Sequence, residues 1–219
     1  MKVFVIAMLK EAEPVIGSMT KKTCETVCGK QVYSGKLFGE EIRIVICGVG
    51  KVNAACGTQL AIDKLGADTI INIGVAGGLN GGVEVGKIYS VNAAVQYDFD
   101  LTQLNGTALG TLDECEENYL PLCTVHAYPL KRVATGDRFN DSVQDYKTLT
   151  TILHADIRDM ELGAIAQACM HAGVKCAAFK IISDLAGSGS TTEQYIKNLA
   201  VCADTLKREL KNITEALNG

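Results

Sequence analysis

The chain has 219 residues, which is enough for one sizeable α/β domain spanning residues 1–219. Its net charge is −4 and it contains no run of basic residues, so a nucleic-acid backbone is not an expected partner. No stretch of about 18 uninterrupted apolar residues occurs, so no membrane span is expected either. Residues 1–8 begin as a signal peptide would, but charges arrive early in residues 9–13, which indicates a first buried strand.

The cysteine pattern indicates a reduced, cytoplasmic protein. Nine cysteines occur, an odd number, and no pair has C-x-x-C spacing. Cys47, Cys169 and Cys176 lie in apolar runs, as core thiols do. The three histidines show no metal-ligand spacing. We therefore expect no disulfide frame, no metal and no cofactor.

The first predicted elements alternate between strands and helices. Residues 2–8 predict a strand, and Glu11 follows it at a strand-to-helix junction. A hairpin over residues 31–47 leads into the turn Gly48-Val-Gly50 and a helix over residues 51–65. From position alone, Glu11 is a solvated acid at a helix start and the glycines form a tight turn. The full G-x-G-x-x-G fingerprint is absent, which disfavours a Rossmann oxidoreductase.

The middle of the chain predicts two more strands and a long excursion. A buried strand over residues 67–75 ends in the glycine-rich segment 76–82, which indicates close backbone approach to a ligand or a crowded core. Residues 87–95 predict a further strand. Residues 103–129 lack periodicity, and loops of that length usually serve a function or contact a partner.

An aromatic residue and a long helix dominate the later part of the chain. Phe139 follows a short predicted strand over residues 131–134; it would stack on a planar ligand, although propensity alone favours core packing. Ser190-Thr-Thr-Glu193 is a capping box that opens an amphipathic helix, which we expect to pack on the sheet. The apolar positions of that helix are Ile196, Leu199, Ala203, Leu206, Leu210, Ile213 and Leu217.

Acidic side chains follow two predicted strands in residues 158–190. Asp159 and Glu161 follow the first of these strands, and Asp184 follows the second. Ligands of open α/β sheets bind outside the carboxyl ends of the strands, so these acids predict a catalytic mouth. Lys180 lies inside the second buried run and needs a counter-charge from elsewhere in the chain. Glu161 opens a helix whose dipole favours an ionised carboxylate.

Several fragments, in this order, resemble the bacterial 5′-methylthioadenosine/S-adenosylhomocysteine nucleosidases of the purine nucleoside phosphorylase superfamily. The resemblance covers nearly the whole chain. It implies a three-layer α/β/α fold around a central twisted mixed β-sheet, nucleoside phosphorylase/hydrolase-like, in a homodimer. The fragments are Ala7-Met8-x-x-Glu11, Gly48-Val-Gly-Lys-Val52, Asn72-x-Gly-x-Ala-Gly-Gly-Leu79, Gly136-Asp-x-Phe139, Asp159-Met-Glu161 and Ser183-Asp184.

The resemblance also implies a reaction, in which water cleaves an N-glycosidic bond and adenine leaves. Asp184 would hold N7 of the adenine and supply a proton to it. Glu11 would deprotonate the attacking water, and Glu161 would bind the ribose hydroxyls. An acid at the base and anionic groups at the developing sugar cation suit this chemistry.

The resemblance further implies a substrate-binding set. Met160 would pack against the sugar, Phe139 would stack on adenine, and the main chain around Asn140 would read the adenine edge. Val49 would line the pocket for the 5′-alkylthio group, and residues 107–112 would reach the partner subunit's site. The remaining predicted substrate-binding residues are Val75, Ala76, Gly77, Asp159, Lys180 and Ser183.

Three positions depart from the family pattern and leave more than one function open. Lys180 stands in place of an arginine, Val75 in place of a serine, and Asp159 in place of a glutamate. A phosphorylase of the same fold would need an arginine cluster, and no arginine is predicted at the glycine-rich strand ends. A hydrolase of another purine nucleoside, such as futalosine, and a non-catalytic nucleoside-binding protein are also compatible with the pattern.

Overall fold

The computed structural model describes residues 1–79 and 82–218 and shows a mixed sheet with helices on both faces. Residues 80 and 81 of the predicted glycine-rich segment lie outside the described residues. The strands are β1 (Lys2–Ile6), β2 (Met19–Val27), β3 (Lys30–Leu37), β4 (Glu40–Ile46), β5 (Thr69–Gly78), β6 (Ile88–Gln96), β7 (Leu120–Pro121), β8 (Leu130–Thr135), β9 (Ile157–Asp159) and β10 (Lys175–Leu185). The helices are α1 (Leu9–Ser18), α2 (Lys51–Leu65), α3 (Thr102–Asn105), α4 (Val143–Lys147), α5 (Leu162–Ala172) and α6 (Thr191–Ala216), and Thr148–Ile152 is π-helical.

The centre of the sheet is parallel, and its edges are antiparallel. Strands β4, β1, β5 and β10 run parallel to one another, which fits their nearly continuous apolar sequences. The hairpin of β2 and β3 extends the sheet beyond β4. At the other side β10 pairs with β6, β6 with β8, β8 with β9 and β9 with β5. These pairings close five strands into a ring, which the sequence did not predict.

Two apolar cores separate the sheet from the helices. Helices α2 and α5 pack together over one core, which includes Ala61 and Ile165. Helices α1 and α6 pack together over the other, which includes Val15 and Leu210. The chain therefore has the predicted three-layer α/β/α architecture.

The structure adds elements that the sequence did not predict. Strand β2 is exposed after Met19, and α4 with the π-helical turn fills part of the segment after Phe139. Most of the long excursion over residues 103–129 is irregular, as predicted. Within residues 1–79 and 82–218, every helix is too short or too polar to cross a membrane.

Candidate active site

A cavity of about 480 Å³ opens where β1, β5, β9 and β10 end. Because parallel strands end at the same edge of a sheet, residues far apart in sequence meet there. All the predicted site residues except Asn140 and Lys180 line this cavity. The lining set contains Glu11, Val49, Val75, Ala76, Gly77, Phe139, Asp159, Met160, Glu161, Ser183 and Asp184.

Glu11 is buried in the cavity wall, and the expectation of a solvated helix-start acid is wrong. It lies in the first turn of α1, and only 8% of it is exposed. Its Oε1 accepts a hydrogen bond from the Val75 amide at 2.9 Å, and its Oε2 accepts one from the Met8 amide at 3.2 Å. Burial raises the pKa of Glu11, while these two amides and Lys180 oppose the rise. The carboxyl group is therefore held in one orientation.

Lys180 has the counter-charge that its position in a buried strand requires. It is 1% exposed, and its Nζ lies 2.7 Å from Oδ2 of Asp159. Asp159 also accepts hydrogen bonds from the Thr135 hydroxyl and the Leu162 amide. Burial acts to lower the pKa of Lys180, but Asp159, Glu161 and Glu11 outweigh it and raise that pKa overall. Two of the three departures from the family pattern thus contact each other.

Glu161 occupies the position before α5, and its carboxylate reaches the start of another helix. Its Oε1 accepts a hydrogen bond from the Gly50 amide at 2.9 Å, at the N-terminus of α2. Burial and the charge of Asp159 nevertheless raise the pKa of Glu161 to about 7. The expectation that the helix dipole keeps Glu161 fully ionised is therefore wrong near neutral pH, because desolvation outweighs the amide bond and Lys180.

Asp184 lies on the other side of a β-bulge in β10, where the register with β5 shifts after Ile182. Bulges commonly re-aim side chains next to active sites. The Ser183 hydroxyl donates to Oδ1 of Asp184 at 2.7 Å, whereas Oδ2 is buried and has no hydrogen-bond partner among the described residues. Burial raises the pKa of Asp184, and the Ser183 bond and the charge of Arg158 oppose that rise.

The charged groups of the cavity fall into two sets. Glu11, Asp159, Glu161 and Lys180 shift one another's protonation, and we call them the carboxylate–lysine cluster. The pKa of Asp184 responds instead to burial, to Ser183 and to Arg158. We call Arg158 and Asp184 the arginine–aspartate pair. The cavity therefore offers an acid that is electrostatically separate from its main group of carboxylates.

Two predicted residues lie elsewhere. The Asn140 side chain donates to Asp145 at 2.9 Å and accepts from the Ser142 amide at 3.0 Å, so it is used within its own loop. Lys180 is fully buried next to Asp159 and supports the cavity wall without lining it. Phe139, in contrast, is 50% exposed and lines the cavity, so the core packing that propensity favoured is wrong.

Several lining residues were missed. Ile196 is 68% exposed because the start of α6 borders the cavity, and its predicted packing on the sheet is wrong. Tyr195 meets Phe139 edge-on, with ring centroids 5.8 Å apart. Arg138 and Arg158 also line the cavity, so the expectation that no arginine reaches the glycine-rich strand ends is wrong: β9 brings Arg158 opposite Gly77. The other missed lining residues are Ala7, Met8 and Thr192.

Comparisons with known proteins agree with this geometry. The family model described as the phosphorylase superfamily matches residues 2–216. A 5′-methylthioadenosine/S-adenosylhomocysteine nucleosidase of Shewanella piezotolerans is 31% identical over 213 residues, which cover 90% of this chain and 92% of the relative.

Solved structures give the same result. The crystal structure of such a nucleosidase from Colwellia psychrerythraea, in complex with adenine, superposes with a TM-score of 0.91 at 26% identity, covering 99% of this chain and 96% of the other. The futalosine hydrolase of Helicobacter pylori superposes with a TM-score of 0.89 at 22% identity, covering 98% and 97%, which shows a shared fold.

Proposed function

Because the chain belongs to the phosphorylase superfamily, and within it to the 5′-methylthioadenosine/S-adenosylhomocysteine nucleosidases, we propose that its cavity hydrolyses the N-glycosidic bond of one or both of these nucleosides and releases adenine. One observation carries the proposal: Glu11, Glu161 and Asp184, which are far apart in sequence, all line a single cavity. A cavity of about 480 Å³ is within the range typical of small-molecule sites.

The departing base needs a proton, and Asp184 is suited to supply it. Cleavage leaves electron density on the purine, and a proton at N7 neutralises it. Burial raises the pKa of Asp184, which favours the protonated form that an acid requires. Its free Oδ2 provides an atom for that bond, while Ser183 holds Oδ1. Phe139, half exposed at the cavity, would stack on the base.

The sugar becomes cationic as the base leaves, and the carboxylate–lysine cluster is suited to stabilise it. Glu161 would bind the ribose hydroxyls, and Met160 would pack against the sugar. Glu11 would take a proton from the attacking water, and its two amide bonds fix the direction of attack. Val49 would line the pocket for the 5′-substituent. Preorganised charge of this kind costs no rearrangement during the reaction.

Water rather than phosphate is the expected nucleophile, although Arg138 and Arg158 line the cavity. Around Glu11, three buried carboxylates face one buried ammonium group, that of Lys180. A phosphate dianion placed there would be repelled, because like charges interact strongly in a desolvated site. The charge of Arg158 acts on the pKa of Asp184, so this arginine belongs to the base side of the proposed site.

We also propose a cytoplasmic homodimer. All nine cysteines are free thiols, which suits a reducing compartment. Val52 on α2 and Leu104 on α3 are 75% and 80% exposed, and association with a second copy would cover such side chains. Leu112 packs in the chain's own core, so only the earlier part of residues 107–112 is free to reach a partner. Light scattering after size-exclusion chromatography would measure the mass.

The proposed function is tested by measuring adenine release from a panel of 5′-substituted adenosines in buffer with and without phosphate. We expect release that does not depend on phosphate. Asp184→Asn and Glu11→Gln should each lower kcat by about 10²- to 10⁴-fold, the usual contribution of a general acid or base. Phosphate-dependent release would indicate a phosphorylase, and tight binding without release would indicate a non-catalytic protein. Near-normal turnover by Asp184→Asn would disprove the role of Asp184.

A further inference from the structure

Arg158 carries a hydrogen-bond donor that the described part of the protein does not use. The residue is 9% exposed and lines the cavity, yet its Nη2 is buried and has no hydrogen-bond partner among the described residues. A buried donor without a partner costs free energy, and natural proteins contain few of them. The strand position opposite Gly77 fixes where this donor lies.

The unused donor lies beside the unused oxygen of Asp184. A Cβ atom at Gly77 would lie 2.9 Å from Oδ2 of Asp184 and 3.1 Å from Nε of Arg158. Both side chains therefore pass close to the same backbone atom. Arg158 and Asp184 nevertheless make no ion pair in the described structure, so both groups remain available to a ligand.

The two groups match one edge of a particular class of base. A 6-oxopurine presents two neighbouring acceptors, N7 and O6, whereas adenine presents the acceptor N7 and the amino donor at position 6. Arginine is always protonated and can only donate, while a protonated carboxyl group also donates. A protonated Asp184 at N7, as in the proposed function, leaves the neighbouring position of the base edge to Arg158. An oxo group there accepts a bond from Nη2, and an amino group does not.

We propose that the arginine–aspartate pair gives the enzyme a further activity, the hydrolysis of 5′-substituted nucleosides of 6-oxopurines, with Arg158 donating to O6. The inference rests on the proposed function for the position of Asp184 and for the hydrolytic chemistry. Water adds to C1′ of the sugar, the C1′–N9 bond breaks, and the base leaves with the proton from Asp184. Arg158 binds the base and transfers no proton.

The test compares hypoxanthine release from 5′-methylthioinosine with adenine release from 5′-methylthioadenosine, using the intact chain and Arg158→Met. The native chain should release both bases. In Arg158→Met, the ratio of kcat/KM for hypoxanthine release to that for adenine release should fall by roughly tenfold to a hundredfold, the value of one specific base contact. Arg158→Gln retains an uncharged donor and should retain more of the ratio than Arg158→Met.

Arg132→Met is the matched control. Arg132 lies outside the cavity, where it donates to the His154 carbonyl and stacks 5.1 Å above the Tyr119 ring, so its loss should leave the ratio unchanged. Adenine release by the native chain without hypoxanthine release would overturn this inference and leave the proposed function intact. An equal fall of both activities in Arg158→Met, with a lower Tm, would show a structural role and also overturn it. Release of neither base by the native chain would overturn the proposed function as well.

Discussion

The two sets of charged groups in the cavity differ in how far the protein itself satisfies them. In the carboxylate–lysine cluster, Lys180 pairs with Asp159 at 2.7 Å, and backbone amides bind Glu11 and Glu161. In the arginine–aspartate pair, Nη2 of Arg158 and Oδ2 of Asp184 have no partner among the described residues. One region is complete without a ligand, and the other is completed by one.

This difference separates two tasks that one small cavity must perform. A fully hydrogen-bonded buried network is rigid, which suits groups that must aim water and stabilise a cation. Unpaired buried atoms gain the most from a ligand that supplies their partners, which suits groups that must select a base. Changes to the first region should therefore affect mainly stability and turnover, and changes to the second should affect mainly base selectivity.

The largest effect on folding is expected from removing the cation of the carboxylate–lysine cluster. Lys180→Met would leave Asp159 and its neighbouring carboxyl groups buried without a counter-charge. Removing one partner of a buried ion pair typically lowers the free energy of unfolding by about 3–5 kcal/mol. Urea unfolding at pH 8 measures this loss, which should shrink towards pH 5, because Glu11 and Glu161 have raised pKa values and take up protons there.

The control for that variant is Lys211→Met. Lys211 forms an exposed ion pair with Glu215 on α6, one helical turn apart. Exposed pairs of this kind contribute only about 0.3–0.5 kcal/mol. Equal losses in the two variants would mean that the buried cluster is no more important for folding than a surface pair, contrary to the geometry.

The next effect concerns Glu161, whose folded pKa of about 7 lies above its ordinary value of 4.5. The folded chain then binds the proton more tightly than the unfolded chain, so stability is lost as pH rises from 4.5 to about 7. The loss amounts to about 3 kcal/mol above pH 7, at about 1.4 kcal/mol for each unit of pKa. Glu161→Gln should remove it and be more stable than the native chain at pH 8, but much less active.

Unfolding curves at several pH values measure this effect, with Glu116→Gln on an exposed loop as the control. The native chain and the control should lose stability over the same pH interval, whereas Glu161→Gln should show a flatter profile. A profile for Glu161→Gln that is parallel to the native one would show that this carboxyl group titrates normally in the folded state.

Most of the sheet could be predicted from the sequence because its central strands are buried and strongly apolar. Strand β2 could not, because after Met19 its side chains face solvent and show no apolar alternation. The closure of five strands into a ring could not be predicted either. It depends on β10 pairing with both β5 and β6, which no local pattern records.

The proposed site could be predicted only in part, for a related reason. Glu11, Glu161 and Asp184 follow strands or begin helices, and their places in short motifs made them visible. Arg158 was overlooked because an arginine in a short strand has no motif of its own. Its one signal was a charged residue directly after Ile157, at a position that turned out to be buried. The exposure of Ile196 contradicts an amphipathic pattern that holds for the rest of α6.

The smallest expected effects come from adding one methyl group beside each region. A Cβ at Gly74 would lie 3.0 Å from Oε1 of Glu11, and one at Gly77 would lie 2.9 Å from Oδ2 of Asp184. Glu11 is held by two amides and cannot move aside, whereas Oδ2 of Asp184 is free to shift. Gly74→Ala should therefore lower the free energy of unfolding by about 1–3 kcal/mol, the usual cost of overpacking, and Gly77→Ala by less.

Gly17→Ala supplies the baseline, because no atom lies within 4 Å of the added Cβ and the residue is exposed on α1. That change should raise the free energy of unfolding by about 0.5–1 kcal/mol. Gly77→Ala should still alter the ratio of hypoxanthine to adenine release, since it displaces Asp184 against Arg158, while Gly74→Ala should lower both rates together. A larger stability loss in Gly77→Ala than in Gly74→Ala would mean that the arginine–aspartate pair is the more rigid region, and the division of tasks between the two regions would have to be reversed.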